Sequence, residues 1–150
     1  MNNTSTFEEQ IALYGRIVYT NVGDSMMPLI KQGRDVLIIE KPARKLKKYD
    51  IPLYKRDSGQ YVLHRIIGKG RDGYRMCGDN RISVERGITD AHIIGVLVGI
   101  IRDGKEIRLD TVGYRLYCFR ICDLFFIRYI KFKIRALFRR IFGKTKHKGR

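Results

Sequence analysis

The sequence predicts a mainly β protein, a small barrel or set of rolled sheets, with a short helix at its start and a basic amphipathic helix at its end. The first reason is a series of about seven short apolar runs over residues 17–109, separated by turns rich in glycine and aspartate. The second is the length, because a chain of 150 residues is expected to form a single domain and can bury a sizeable core without disulfides. The third is a change at Tyr114, where bulky apolar residues begin to alternate with basic ones.

A capping signal predicts the N-terminal helix. Ser5 or Thr6 is placed to cap it, and Glu8 or Glu9 stands three residues further on, as in a capping box. One apolar face is formed at helical spacing by Phe7, Ile11 and Tyr14. We expect this helix to end at Gly15 and to pack against the edge of the barrel.

Seven strands are predicted from runs of apolar and β-branched residues. In chain order they cover residues 17–22, 35–40, 51–54, 61–67, 74–77, 93–101 and 106–109. Pro52 assigns its strand to a sheet edge or a bulge. The sequence Asp57-Ser58-Gly59 predicts a hairpin turn, and the strand that follows it carries His64.

The net charge of +16 is distributed unevenly. Residues 114–150 hold 12 lysines and arginines against one acid, Asp123, and carry +11, whereas residues 1–113 hold 19 against 14 and carry +5. At 100° per residue one face of the tail gathers Arg120, Arg128, Lys131, Arg135 and Arg139. The tail is therefore where an anionic surface would dock.

Three kinds of partner are considered for this tail. Bulky apolar residues between long basic side chains favour a helix lying in the interface of an anionic membrane, with the cytoplasmic face preferred. A protein partner and nucleic acid are the alternatives, and nucleic acid is not expected because phosphate contact does not need so much apolar surface. No signal peptide and no run of ~18 apolar residues are found, so we expect peripheral rather than spanning association.

Cofactors and metals are not expected. The three cysteines, Cys77, Cys118 and Cys122, contain no Cys-x-x-Cys pair, and we interpret them as reduced thiols.

One stretch has the form of a nucleophile corner. Gly23-Asp24-Ser25-Met26-Met27-Pro28 follows a predicted strand, and its proline prevents a regular helix from starting there. Ser25 would then lie at a backbone corner with exposed amide groups, as a nucleophilic serine needs. Two later stretches join it, Val62-Leu63-His64-Arg65-Ile66-Ile67 and Cys77-Gly78-Asp79-Asn80-Arg81.

With Gly33-Arg34-Asp35-Val36 between them, these stretches resemble the boxes of the signal peptidase I family over residues 16–102. The family has a Ser-Met-x-Pro box, a base followed by arginine, and a Gly-Asp-Asn box; histidine is the base in its archaeal and endoplasmic-reticulum members. The resemblance implies Ser25 as nucleophile, His64 as base and Asp79 as the group that orients it. It also implies supporting roles for Glu85 and for Met26, which would line the cleft floor.

The resemblance implies a signal-peptidase-like catalytic domain over residues 1–113, and the change of composition at Tyr114 predicts the membrane-interfacial tail over 114–150. Its activity would be a serine endopeptidase that removes a leader or signal segment from an extended peptide or preprotein. Two other functions are considered. One is a catalytically silent membrane-surface binding module on the same fold. The other is a self-cleaving regulator of the LexA type, which uses lysine where this chain has His64.

Overall fold

The computed structural model describes residues 5–142 and is mainly β, as predicted. The strands are β1 (Arg16–Thr20), β2 (Asp35–Glu40), β3 (Pro52–Lys55), β4 (Tyr61–Leu63), β5 (Arg65–Gly70), β6 (Gly73–Cys77), β7 (Glu85–Ile88), β8 (Ile93–Arg102) and β9 (Lys105–Ile107). The helices are α1 (Phe7–Tyr14), α2 (Val112–Cys122) and α3 (Phe125–Phe142), with a short 3₁₀ turn at Asp90–His92.

The strands form two antiparallel sheets. The larger one is curled into a half-barrel with strand order β1-β2-β8-β3-β4, and β9 also pairs with the long strand β8. The smaller sheet has the order β5-β6-β7. The main core lies inside the larger sheet, where the chain that follows β1 contributes Met26 and Ile30. Burying such side chains stabilises the fold by about 1.5–3 kcal/mol each.

A second core joins the two sheets. Tyr54, from β3 of the larger sheet, packs there with Ile66, Tyr74 and Met76 of the smaller sheet. All four side chains are at most 2% exposed. The two sheets are therefore held together by apolar packing that includes Tyr54.

The N-terminal helix and its two ends are confirmed, but Tyr14 of the predicted apolar face is 72% exposed and does not pack on the core. Thr6 caps α1 and forms a capping box with Glu9, and Gly15 ends the helix in the left-handed conformation with a φ of 71°. The helix packs against the larger sheet, because Phe7 and Ile11 contact its core.

The predicted strand over residues 61–67 is wrong in one respect, since it is two strands interrupted at His64. Leu63 pairs with Leu53 in the larger sheet, whereas Arg65 pairs with Cys77 in the smaller one. The chain changes sheets at His64 because its two neighbours have different pairing partners. The residues that follow the Gly-Asp-Asn turn also form β7, a strand that was not predicted.

The position of Pro52 confirms the bulge and not the edge. β3 lies between β8 and β4, and its pairing with β8 shifts between Leu53 and Tyr54. Pro52 is tolerated inside the sheet because it is the first residue of its strand.

The predicted C-terminal helix is two helices. The chain breaks at Asp123 and Leu124, whose amides both donate to the carbonyl oxygen of Phe119. Lys48 and Tyr49 bind the Asp123 carboxylate and fix this break against the loop between β2 and β3. Within residues 5–142, no helix is both long and apolar enough to cross a membrane.

Candidate active site

Ser25 lies in the irregular turn between β1 and β2. Its neighbour Met26 is only 1% exposed and packs in the main core, so it anchors the turn from inside. The amide of Met27 donates to Asp24 O (3.1 Å), and that of Ile30 donates to Met26 O (3.0 Å). Ser25 itself is half-buried, and its hydroxyl makes no hydrogen bond to another described residue. Met26 therefore supports the predicted nucleophile turn from the core side.

The Gly78-Asp79-Asn80 turn holds the backbone of Ser25. The amide of Asn80 donates to the carbonyl oxygen of Ser25 over 2.8 Å. A Cβ atom at Gly78 would lie 2.6 Å from that same oxygen and 3.1 Å from the Ser25 Cβ, so only glycine allows this approach. Arg81 adds an ion pair to Asp24. The Ser-Met-x-Pro box and the Gly-Asp-Asn box are thus in direct contact.

Asp79 is buried in an ion pair with Arg65. The guanidinium donates to both carboxylate oxygens over 2.8 and 2.7 Å, and both side chains are 0% exposed. The hydroxyl of Tyr117, from α2, donates to the same carboxylate over 2.8 Å. Burial opposes the charge on Arg65, but the Asp79 carboxylate outweighs burial and raises the pKa of the guanidinium. The Asp79 side chain is thus fully engaged by Arg65 and Tyr117.

No hydrogen bond between described residues joins the Asp79 side chain to His64, so the expected role of Asp79 in orienting the histidine ring stays a prediction. Burial lowers the pKa of the His64 ring, whereas the negative charge of Asp79 acts to raise it. Asp79 also binds Arg65, which follows His64 in the chain. The tail takes part in this arrangement. Tyr114 and Cys118 of α2 both contact the Arg65 guanidinium, so the segment just after residue 113 packs on the catalytic candidates.

A tyrosine lies between His64 and an acid. Tyr54 Oη is 3.4 Å from His64 Nδ1 and donates to Glu85 over 2.7 Å. The Arg56 guanidinium donates two hydrogen bonds to the same carboxylate, over 2.7 and 2.6 Å. Because the Tyr54 hydroxyl donates its hydrogen bond to Glu85, we infer that its oxygen accepts from an Nδ1–H of His64. That tautomer leaves Nε2 of His64 unprotonated and able to take a proton.

Burial keeps His64 neutral. It lowers the pKa of the ring to about 4, partly opposed by the negative charge of Glu85. Arg56 lowers the pKa of Glu85, which therefore stays ionised. Burial and the Glu85 carboxylate both raise the pKa of Tyr54, so its phenol keeps its proton. Each side chain in this hydrogen-bonded series, from Arg56 through Glu85 and Tyr54 to His64, thus has one defined protonation state at neutral pH.

The three predicted stretches converge. Among residues 5–142, however, no hydrogen bond joins the Ser25 hydroxyl to the His64 ring. Ser25 contacts the Asn80 turn, Asp79 of that turn binds Arg65, and Arg65 adjoins His64. Catalytic hydrogen bonds often tighten only when a substrate is present. In the described part of the chain, no three His, Cys, Asp or Glu residues are grouped to hold a metal ion.

Comparisons with known proteins found no matching family model and no matching curated protein. The resemblance to signal peptidases therefore rests on the sequence motifs.

Tyr54 is the site residue that the sequence did not reveal, and the full burial of Arg65 was not predicted either. The hairpin turn contained a usable signal for Tyr54. Its strands pair Tyr54 with Val62, and His64 lies two residues beyond Val62 on the same face, which makes Tyr54 and His64 diagonal neighbours. The burial of Arg65 had no such signal, because arginine is almost never fully buried unless it is paired.

Proposed function

We propose that this chain is a serine endopeptidase of the signal peptidase type, with Ser25 as nucleophile and His64 as base. The observation that carries the proposal is the hydrogen bond from Asn80 to Ser25 O, because it joins the Ser-Met-x-Pro box to the Gly-Asp-Asn box. The ion pair between Asp79 and Arg65 extends that connection to the residue beside His64.

In the proposed reaction, Ser25 Oγ attacks the carbonyl carbon of the scissile peptide bond while His64 Nε2 takes the hydroxyl proton. The backbone amide of Ser25 stabilises the resulting oxyanion by donating a hydrogen bond. The imidazolium then gives its proton to the leaving amine, and the C–N bond breaks to leave an acyl-enzyme. Water, deprotonated by the same histidine, attacks the ester, releases the new carboxyl end and restores the serine.

An extended peptide is the proposed substrate, and β4 offers an edge for it. β4 ends the larger sheet, and its outer side pairs with no other strand of the described chain. A peptide that adds a strand there would run toward His64, which follows β4 directly. Main-chain hydrogen bonds would hold the peptide, and by family resemblance small residues would be preferred next to the cleaved bond.

The proposal also includes attachment to a membrane surface through α3. This helix exposes an uncharged stripe on one side, formed by Phe126, Ile130, Ile134 and Leu137, each 39–71% exposed. Such a stripe, in a segment of high positive charge, is typical of a helix that lies in the interface of an anionic membrane.

The decisive experiment compares the full chain with Ser25→Ala on a mixture of leader-bearing peptides, with products identified by mass spectrometry. We expect Ser25→Ala to fold normally and to cleave nothing, because only a half-buried hydroxyl is lost. Ser58→Ala, in an exposed hairpin turn, is the matched control and should cleave normally. Cleavage at the normal rate by Ser25→Ala would exclude this serine as nucleophile.

A catalytically silent binding module is the second candidate, and the missing hydrogen bond between Ser25 and His64 favours it. The same peptides distinguish the two functions. A silent module would bind them and release them uncut in both the full chain and Ser25→Ala.

A further inference from the structure

A groove of about 640 Å³ lies between the turn that follows Asp79 and the two C-terminal helices. Five cationic side chains line it: Arg81, Arg120, Arg128, Lys131 and Arg135. Four of them belong to the basic face predicted from the sequence, and the structure turns that face toward the candidate active site.

The positive charge of this groove is not balanced within the described residues. Its one acid, Asp79, is already bound by Arg65 and Tyr117. No carboxylate of residues 5–142 pairs with Arg120, Lys131 or Arg135. Arg128 donates to Asp79 O over 2.6 Å, but its buried Nε has no described partner. Like charges held together this way cost free energy, which a bound anion would offset.

The groove adjoins the nucleophile turn at two points. Arg81 is ion-paired with Asp24, the residue before Ser25. Arg128 holds the carbonyl of Asp79, whose neighbour Asn80 binds Ser25 O. A ligand in this groove would therefore lie beside a peptide whose scissile bond is at Ser25.

The geometry of α3 argues against a lipid headgroup as the ligand. At 3.6 residues per turn, the row Arg128, Lys131 and Arg135 is centred about 140° from the apolar stripe of Phe126, Ile130, Ile134 and Leu137. A helix that buries this stripe in a membrane turns that row away from the lipid and toward the folded domain.

We propose that this groove binds an acidic segment of the peptide substrate, and thereby selects peptides that carry glutamate or aspartate at a distance from the cleaved bond. This inference rests on the proposed function for the identity of its ligand. Carboxylates on an extended chain match the groove because several cations lie in sequence along one helix. Apolar walls from Ile127 and Phe132 add contact for the backbone between the acids.

The test measures binding of a short fluorescein-labelled, glutamate-rich peptide to the full chain carrying Ser25→Ala, by fluorescence anisotropy. The glutamine version of the peptide is the ligand control. Lys131→Glu with Arg135→Glu reverses the groove, and Lys133→Glu with Arg140→Glu makes the same charge change away from it. We expect the groove pair to weaken binding at least tenfold and the control pair to change it less than threefold.

Equal binding of the glutamate and glutamine peptides, or equal losses in the two charge-reversal pairs, would overturn the inference. So would a groove pair that loses only its binding to phosphatidylglycerol vesicles, because the groove would then be a lipid site. Failure of the proposed peptidase looks different. The glutamate peptide would bind through the groove as expected, while the chain with Ser25 intact would leave every peptide uncut.

Discussion

The amide of Asn80 donates a hydrogen bond to the carbonyl oxygen of Ser25 over 2.8 Å. This bond fixes the backbone of the proposed nucleophile to a turn that lies far away in sequence. The turn can approach so closely because its first residue, Gly78, has no side chain. The position of Ser25 therefore depends on Gly78 and on the bonds made by its neighbours.

Gly78→Ala should displace the Ser25 turn. The added methyl group would lie 2.6 Å from Ser25 O, so the backbone must shift, with a loss of about 1–3 kcal/mol in the free energy of unfolding. We expect the cleavage rate to fall by more than the increase in unfolded protein accounts for, because the Ser25 turn moves in the folded protein. Gly113→Ala in α2 is the control, because its methyl meets nothing closer than 3.9 Å. Urea unfolding and peptide cleavage are measured on both, and equal behaviour would contradict the argument.

Tyr54→Phe should lower kcat while leaving KM nearly unchanged. The variant keeps the buried ring but removes the hydroxyl between His64 Nδ1 and Glu85, so the tautomer is no longer fixed. The loss should be roughly tenfold to a hundredfold, as for other groups that orient a functional histidine. Tyr74→Phe removes another tyrosine hydroxyl, bound to Asp90, and should cleave normally. An unchanged kcat in Tyr54→Phe would remove the tyrosine from the mechanism.

The acid limb of kcat/KM should lie near pH 4, because His64 has a pKa of about 4 in the folded chain. Glu85→Gln should move this limb to lower pH, since the Glu85 charge raises the His64 pKa. NMR titration of the ring gives the same pKa independently of turnover. An acid limb near pH 6.5 in both the unaltered chain and Glu85→Gln would show that burial does not set the pKa of His64.

The same group makes stability depend on pH. The unfolded chain binds a proton at His64 below about pH 6.5, whereas the folded chain binds it only below about 4. The free energy of unfolding should therefore rise with pH between these values, by roughly 3 kcal/mol from this residue, and level off above them. His64→Gln should remove that part of the slope in urea titrations.

Asp79→Asn should first of all destabilise the fold. It leaves the Arg65 guanidinium buried without its counter-charge, which costs about 3–5 kcal/mol. Replacing both partners, with Arg65→Met and Asp79→Leu, should be less destabilising than Asp79→Asn alone. If Asp79→Asn instead keeps its stability and loses only cleavage, Asp79 acts on the base directly.

Removal of the chain after Lys131 should abolish flotation with anionic vesicles and leave the fold intact. This cut takes away Ile134 and Leu137 of the apolar stripe but keeps Tyr117 and Arg128, which contact Asp79. High salt should release the full chain only partly, because salt screens the roughly 1 kcal/mol contributed by each basic residue but not apolar burial. Flotation that persists after the cut would place the membrane contact elsewhere.

Elements with clear end signals could be predicted from the sequence. Thr6 and Gly15 mark the ends of α1 by their own chemistry, and β2 is a β-branched run with a turn on each side. The break at His64 could not be predicted, because residues 61–67 form a continuous strand-type pattern and only the distant pairing partners divide it. Burial of Arg65 was likewise hidden, since it depends on a carboxylate supplied by another loop.

The passage of the chain from one sheet to the other at His64 has a mechanical consequence. Leu63 is fixed by the ladder of the half-barrel and Arg65 by that of the smaller sheet, so His64 is the single residue between two anchored neighbours. A shear of one sheet against the other must rotate the backbone of His64. Any ligand that moves one sheet relative to the other would therefore change the orientation of the His64 imidazole.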